Sequence, residues 1–191
     1  MEDLISKIKS RLHLSSKAEE FIYSISKEKT LPKGDVLIRQ GQVVKKTFFV
    51  TAGCLRSYCI DKNGKEHTLL FAIKDWWISD YIAIHSDELA TLTVECLTES
   101  TVIEFNAKEL DGIHARFPEF ESYQRHNLER HVVSLHKRIL NQLQLSATER
   151  YDLFLKQYPD IERHTRNYHI ASFLGITQES LSRIRVEKAK K

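Results

Sequence analysis

Polar and basic side chains are concentrated near the C terminus, in the stretch that follows Gly175. A carboxylate there can accept a hydrogen bond from the amino group of cytosine, amide and guanidinium groups can read adenine or guanine edges, and lysine and serine can hold phosphates. We therefore predict that this stretch contacts double-stranded DNA. The candidate contacts are Thr177, Gln178, Glu179, Ser182, Arg183, Arg185 and Lys188, with Arg166 upstream.

The apolar residues around these side chains have the spacing of a helix-turn-helix motif. Gly175 supplies the turn, Thr177 can cap the second helix, and Glu179 lies in its first turn, where the helix dipole favours a carboxylate. The alternative is an ordinary helical hairpin with a solvated basic face. The residues expected to be buried are Ile170, Ala171, Phe173 and Leu174 before the turn, and Ile176, Leu181 and Ile184 after it.

The distribution of charge agrees with a DNA-binding C terminus. The formal net charge of the 191-residue chain is only +3. Residues 1–145 contain 20 basic and 20 acidic residues, whereas residues 146–191 contain 9 basic and 6 acidic ones. All of the net positive charge therefore belongs to the segment that carries the candidate contacts.

Other chemistries are poorly supported by the sequence. No nucleophile elbow, phosphate-binding loop or dinucleotide fingerprint is present. His126, His131 and His136 recur every five residues, which turns them by about 140° per step on a helix, away from a shared face. We expect no catalysis, metal or cofactor, and a metal-dependent jelly-roll enzyme is the disfavoured alternative. Three cysteines without zinc-like spacing and no long apolar run predict a soluble, cytoplasmic protein that does not contact membranes.

A long helix is predicted to precede the C-terminal motif, because residues 119–145 contain neither glycine nor proline. Four apolar residues on it are spaced four, three and four apart, which places them on one stripe of the kind that joins two helices. The sequence therefore predicts a homodimer, and packing of the stripe on its own domain is the alternative. The stripe is Leu128, Val132, Leu135 and Ile139.

The first part of the chain predicts an α+β fold. Two short helices are expected within the first 30 residues, and glycine-punctuated runs rich in β-branched and aromatic residues then predict an antiparallel jelly roll. Asp61-Lys62-Asn63-Gly64 is typical of a hairpin turn with positive φ values at Asn63 and Gly64. We expect a sensor domain over residues 1–116, a dimerisation helix over 117–145 and an all-α helix-turn-helix domain over 146–191.

Two segments resemble the Crp/Fnr family of bacterial transcription regulators. Residues 32–41 with residues 48–56 are similar to the opening of a cyclic-nucleotide-binding jelly roll, and residues 177–183 are similar to the family's recognition helix. The resemblance implies that Glu179 and Arg183 read bases and that Gln178 contacts a base or phosphate. It also implies a two-fold dimer on a pseudo-palindromic operator, with RNA polymerase and a small-molecule effector as further candidate partners.

The sequence departs from this family where its nucleotide-binding members hold the cyclic phosphate. Residues 74–81 and 89–91 correspond to that cassette and contain no arginine, so cyclic AMP is not the expected effector. The region could instead form a pocket for another small molecule, or its aromatic residues could belong to the core. A scaffold that binds DNA without any ligand is a further alternative. The candidate pocket residues are Trp76, Trp77, Ser79, Asp80, Tyr81 and Thr91.

A second departure concerns the end of the sequence at Lys191. Members of the family continue past the recognition helix into a β-hairpin wing, and we expect this wing to be absent. Phosphate contacts that a wing makes would then come from the terminal lysines and from Arg163 and Arg166.

Overall fold

The computed structural model describes residues 1–190, which form helices and strands in two parts of the chain. The helices are α1 Glu2–Lys9, α2 Ser16–Ser24, α3 Tyr81–Ser86, α4 Ala107–Asp111, α5 Ile113–Arg116, α6 Glu119–Gln144, α7 Ala147–Gln157, α8 Ile161–His164, α9 Asn167–Leu174 and α10 Gln178–Ala189. The strands are β1 Ser26–Leu31, β2 Val36–Ile38, β3 Lys46–Ala52, β4 Leu55–Ile60, β5 Glu66–Ala72, β6 Trp77–Ile78, β7 Thr93–Cys96 and β8 Ser100–Asn106.

The strands form two four-stranded antiparallel sheets, ordered β1-β8-β3-β6 and β2-β7-β4-β5. The inner faces of the sheets enclose a core to which Phe48, Val50, Leu55, Val94 and Val102 belong. The predicted α+β fold with an antiparallel jelly roll and helices at the C terminus is therefore confirmed.

Two strands were not anticipated from the sequence. β1 has the polar sequence Ser-Lys-Glu-Lys-Thr-Leu, yet it pairs with β8 at six consecutive positions. β6 is only two residues long and pairs with β3. Both are edge strands. The side chains of β1 are polar and mostly exposed, so they do not carry the pattern of a buried strand. β6 is apolar, with Ile78 buried, but it is too short to show a periodic pattern.

The predicted hairpin turn joins β4 and β5, but its geometry differs from the expectation. Gly64 has a φ of +79°, whereas Asn63 is not among the residues with positive φ. Asn63 keeps an ordinary conformation because the Asp61 carboxylate accepts a hydrogen bond from its backbone N–H at 2.8 Å. The turn therefore requires the conformational freedom of only one of the two residues.

A second core covers the outer face of the sheet that contains β3. Alternation along β3 turns Phe49 outward while Phe48 faces the interior of the roll. Phe49 packs with α1, α2 and the start of α6, through residues such as Ile8, Ile22 and Phe120. This packing attaches the first turns of α6 to the jelly roll.

A third core joins the C-terminal helices to the jelly roll. Ser146 and Glu149 form a capping box that starts α7, as the sequence predicted. Phe71 on β5 contacts the rings of Phe154 and Phe173 at centroid distances of 5.9 and 5.1 Å. The C-terminal helices and β5 therefore share one apolar cluster.

Candidate nucleic-acid interface

The turn between α9 and α10 has the geometry that the sequence predicts. Gly175 ends α9 in the left-handed conformation with a φ of +69°, and the backbone N–H of Ile176 then donates to the carbonyl of Ala171 at 3.0 Å. Thr177 caps α10, because its hydroxyl accepts a hydrogen bond from the backbone N–H of Ser180 at 3.2 Å. Two short helices therefore meet at a turn that needs a glycine.

One face of α10 presents polar and charged groups to solvent. Gln178, Glu179, Ser182 and Arg183 are exposed, whereas Leu181 and Ile184 are buried on the opposite side. The backbone N–H of Glu179 lowers the pKa of its own carboxyl below the usual range, and Thr177 and Arg183 add to the effect. The face therefore offers an ionised acceptor beside a guanidinium donor.

The structure places two other predicted contacts differently. The Arg185 guanidinium donates to the Asn167 side chain at 2.5 Å and to the Tyr151 hydroxyl at 3.0 Å, and it pairs with Glu162 at 2.7 Å. The ammonium group of Lys188 pairs with Asp152 on α7. These contacts hold α10 against α7, α8 and α9 because each one joins the helix to a neighbour, and Lys188 remains exposed.

The candidate phosphate contacts upstream are exposed at the start of the motif. Arg166 is the residue before α9, and Arg163 lies on α8. Both side chains are open to solvent. They therefore remain available to an anionic backbone beside α10.

Side chains of α9 cover the free edge of β5, which the sequence analysis did not anticipate. The backbone N–H of Glu66 donates to the Tyr168 hydroxyl at 2.9 Å, and that of Thr68 donates to the Ser172 hydroxyl at 2.8 Å. Ser172 in turn donates to the Glu66 carbonyl at 2.9 Å. Arg138 on α6 adds a hydrogen bond to the Thr68 carbonyl at 3.0 Å. The first helix of the motif is thereby docked on the jelly roll.

A charged cluster lies beside this docked edge. Arg56 is 2% exposed, pairs with Glu66 and Glu95 at 2.6 Å each, and stacks over the Tyr58 ring at 3.9 Å. His169 on α9 lies 3.8 Å from the Glu66 carboxylate. Burial, and then the charge of Arg56, lower the pKa of His169 to about 4, so its ring is neutral at neutral pH.

The predicted effector pocket is divided into two places by the structure. Asp80 is fully buried and caps α3, accepting a hydrogen bond from the backbone N–H of Ala83 at 3.1 Å. Its other carboxylate oxygen accepts from Thr91 N–H at 2.6 Å, Thr91 Oγ1 at 2.9 Å and Leu92 N–H at 2.8 Å. Ser79 donates to the Lys46 carbonyl at 2.8 Å. Ser79, Asp80 and Thr91 therefore satisfy polar groups of the chain itself.

The aromatic members of the predicted pocket lie elsewhere. Trp76, Trp77 and Tyr81 line a cavity of about 200 Å³ between the outer face of the sheet and α6. Tyr123 and Thr47 also line it and were not predicted, since their approach depends on how α6 crosses the sheet.

Most of the stripe on α6 is exposed to solvent. Leu128, Val132 and Ile139 have exposed fractions of 58, 48 and 55%, and Leu135 is half-buried. The stripe therefore remains free to contact another molecule. Three further apolar residues of α6, which the sequence analysis left out, are exposed as well: Val133, Leu140 and Leu143.

Two of the three cysteines, Cys54 and Cys96, are buried. No group of three or more His, Cys, Asp or Glu side chains within residues 1–190 is arranged to hold a metal ion. Burial raises the pKa of Cys54 to about 12 and that of Cys96 to about 11, so both thiols stay protonated and unreactive at neutral pH. None of the helices in this part of the chain has the length and apolarity to cross a membrane.

The chain is similar to a known domain family and to a known transcriptional activator. Residues 28–117 match the profile of the cyclic nucleotide-binding domain family. The transcriptional activator protein FnrA of Stutzerimonas stutzeri is 21% identical over 171 residues, which are 84% of this chain and 69% of FnrA.

Two solved structures share the fold along most of the chain. FixK2 from Bradyrhizobium japonicum has a TM-score of 0.74 at 16% identity and covers 87% of this chain and 85% of its own. A transcriptional regulator of the Crp/Fnr family from Eubacterium rectale has a TM-score of 0.72 at 17% identity, covering 93% of this chain and 85% of its own. The similarity therefore extends from the jelly roll into the C-terminal helices.

Proposed function

We propose that the chain is a transcription regulator of the Crp/Fnr type that binds a pseudo-palindromic DNA operator as a homodimer. The observation that carries the proposal is the exposed polar row on α10, formed by Gln178, Glu179, Ser182 and Arg183. A helix with one buried face and one exposed row of donors and acceptors is suited to the major groove.

Three side chains of the row have a base-reading role in the proposal. Arg183 donates to the two acceptors of guanine, ionised Glu179 accepts from the cytosine amino group, and Gln178 pairs with adenine. Arg166 holds a backbone phosphate. Arg185 acts as a positioning residue, because its contacts with Asn167, Tyr151 and Glu162 set the angle of α10.

The dimer is proposed to form along α6. The exposed stripe would pack against the same stripe of a second chain across a two-fold axis. The two copies of α10 would then bind DNA half-sites about one helical turn apart. In this arrangement residues 1–116 form the sensor domain, residues 117–145 the dimerisation helix and residues 146–191 the DNA-binding domain.

Cyclic AMP is not the proposed effector. Asp80 already accepts the N–H and O–H groups of residues 91 and 92, and a buried carboxylate at that place would repel a phosphate. The polar groups of this loop already pair with one another. This favours a second candidate function, a regulator that binds DNA without a ligand at this place. Calorimetry with cyclic AMP is expected to detect no binding at micromolar concentration. We propose no catalytic role, because similar proteins regulate transcription.

Selection of the purified chain on a random DNA library tests the proposal. We expect enrichment of an inverted repeat whose half-site centres lie about one helical turn apart. The double variant Glu179→Ala, Arg183→Ala should enrich no site, whereas the control variant Glu187→Ala, on an exposed residue of α10 outside the row, should select the same repeat. Failure of the unaltered chain to enrich any sequence would contradict the proposal.

A further inference from the structure

A cleft lies between the jelly roll and the first C-terminal helices. Its walls come from β5, from α6, from α7 and from the last residues of α9. The cleft measures about 770 Å³, a volume typical of sites for small molecules. No described residue of α10 lines it, so the cleft is separate from the exposed row to which the proposed DNA contacts belong.

Basic side chains outnumber acidic ones in the walls of this cleft. Five basic residues line it, against one acidic residue, Glu129. Glu129 is exposed and pairs at 3.3 Å with Arg125, which lies outside the cleft. The excess is local, because residues 1–145 as a whole contain 20 basic and 20 acidic residues. The basic residues are Arg130, Lys137 and Arg138 on α6, and Arg150 and Lys156 on α7.

Two of the arginines are held by backbone carbonyls instead of carboxylates. Arg138 donates to the carbonyls of Thr68 at 3.0 Å and Phe173 at 3.3 Å, and Arg150 donates to that of Leu145 at 2.7 Å. Both side chains are half-buried, and burial lowers the pKa of Arg138. Within residues 1–190, no carboxylate forms an ion pair with any of the five cations. The carbonyls fix the two guanidinium groups but leave their charges without a counter-ion.

The other three cations of the cleft are exposed. Arg130 and Lys137 are seven residues apart on α6, which places them on the same side of the helix, and Lys156 lies on the α7 wall. Guanidinium groups bind carboxylate and phosphate oxygens in a forked geometry, and the ammonium group of a lysine adds a flexible point charge. The cleft therefore combines two fixed cations with three exposed ones.

We propose that this cleft binds a small polyanion, a molecule that carries two or more phosphate or carboxylate groups. Cations on the α6 wall and on the α7 wall can each meet a separate anionic group, whereas a single phosphate meets only part of them. The volume of the cleft leaves room for the body of such a molecule. The proposal concerns the folded chain alone and holds whether or not the chain binds DNA.

Calorimetry with tripolyphosphate, citrate and inorganic phosphate tests the proposal. A salt concentration of about 150 mM weakens binding to scattered surface charges. We expect tripolyphosphate or citrate to bind at least about 10-fold more tightly than inorganic phosphate, because each has several anionic groups. The tighter of the two shows whether the cleft prefers phosphate or carboxylate groups.

Variants of exposed residues assign the binding to the cleft. The double variant Lys137→Gln, Lys156→Gln removes one cation from each wall and should weaken binding of the tighter probe by about 5- to 10-fold. The matched control Lys33→Gln, Lys62→Gln removes the same charge from exposed positions outside the cleft and should change the affinity by less than about 2-fold. Arg183→Ala, in the exposed row of α10, should also retain the affinity.

The proposal is wrong if neither tripolyphosphate nor citrate binds more tightly than inorganic phosphate. It is also wrong if the two lysine pairs have equal effects, because the probe would then respond only to the net charge of the chain. Loss of most of the affinity in Arg183→Ala would place the probe on α10 instead of in the cleft and would contradict the proposal as well.

Discussion

At the scale of single residues, the structure separates two kinds of arginine. Arg183 is exposed in the polar row of α10, where its donors are free to meet a base. Arg56 is buried between two carboxylates and a tyrosine ring, where it neutralises charge that would otherwise be desolvated. The same side chain therefore serves recognition in one place and stability in the other.

Arg183 and Arg166 should have different effects on DNA binding. Arg183→Ala is expected to weaken binding to the selected operator by about 1–3 kcal/mol and to leave binding to random duplex nearly unchanged, because it removes a base contact. Arg166→Ala should weaken binding to both and reduce the slope of log affinity against log salt by about 1, because it removes a phosphate contact. Fluorescence anisotropy at several salt concentrations measures both. Equal effects of the two variants on operator and random duplex would contradict these roles.

Arg56 should matter for folding far more than an exposed arginine. Arg56→Met leaves Glu66 and Glu95 without their shared cation, and we expect the free energy of unfolding to fall by about 3–5 kcal/mol. The control Arg125→Met breaks the exposed ion pair with Glu129 and should cost less than about 1 kcal/mol. Urea unfolding followed by circular dichroism measures both variants. Similar losses for the two would mean that the buried cluster adds no stability.

At the scale of elements, α6 has two different surfaces. Its first turns pack into the core beneath the jelly roll through Phe120 and Tyr123. Further along, the helix exposes an apolar stripe over several turns, which is costly in water unless another surface covers it. An element with one end buried in its own chain and an exposed stripe beyond it is suited to bridge two subunits.

Leu135→Glu should separate the proposed dimer. A charge in the middle of the stripe would be buried without a partner, so we expect the dissociation constant to rise by about 30-fold or more. Gln144→Glu adds the same charge at an exposed position of α6 outside the stripe and should leave the dimer intact. Light scattering over a range of protein concentrations distinguishes the two. A Leu135→Glu chain that stays dimeric would exclude the stripe as the interface.

At the scale of the whole molecule, the helix-turn-helix is anchored to the jelly roll through β5. Hydroxyls of Tyr168 and Ser172 pair with the backbone of the strand edge, and Phe71 packs into the apolar cluster of the C-terminal helices. His169 lies in this interface in its neutral form. Protonation of His169 would place a second positive charge near Arg56, so the contact between the two parts of the chain should depend on pH.

The chain should lose stability as the pH falls from about 6.5 toward about 4 because of His169. Its pKa is about 4 in the folded chain and 6.5 in the absence of structure, so the unfolded state binds more protons in that interval. The loss attributable to His169 should reach about 2 kcal/mol by about pH 5. Urea unfolding of the chain and of His169→Gln at about pH 7 and about pH 5 measures it.

Between about pH 7 and about pH 5, His169→Gln should lose less stability than the unaltered chain. Acidic groups that also titrate there affect both chains alike. His13→Gln, which changes an exposed histidine, is the control and should retain the full loss. Identical losses in His169→Gln and the unaltered chain would rule out the interface histidine as the cause.

Features that depend on neighbouring residues can be predicted from the amino-acid sequence. Glycine in the left-handed conformation at position 175, the capping box at Ser146 and the periodicity of α6 are properties of short stretches, so their patterns predict them. The exposed row on α10 follows in the same way, because its register is set by the buried Leu181 and Ile184.

Folding brings together groups that are distant in the chain. It brings the Arg185 guanidinium to the side chain of Asn167, and it brings the Asp80 carboxylate to the amide groups of residues 91 and 92. It also brings Trp77 and Tyr123 to one cavity. These contacts depend on strand pairing and helix crossing between residues far apart in the chain. Local sequence patterns therefore do not predict them.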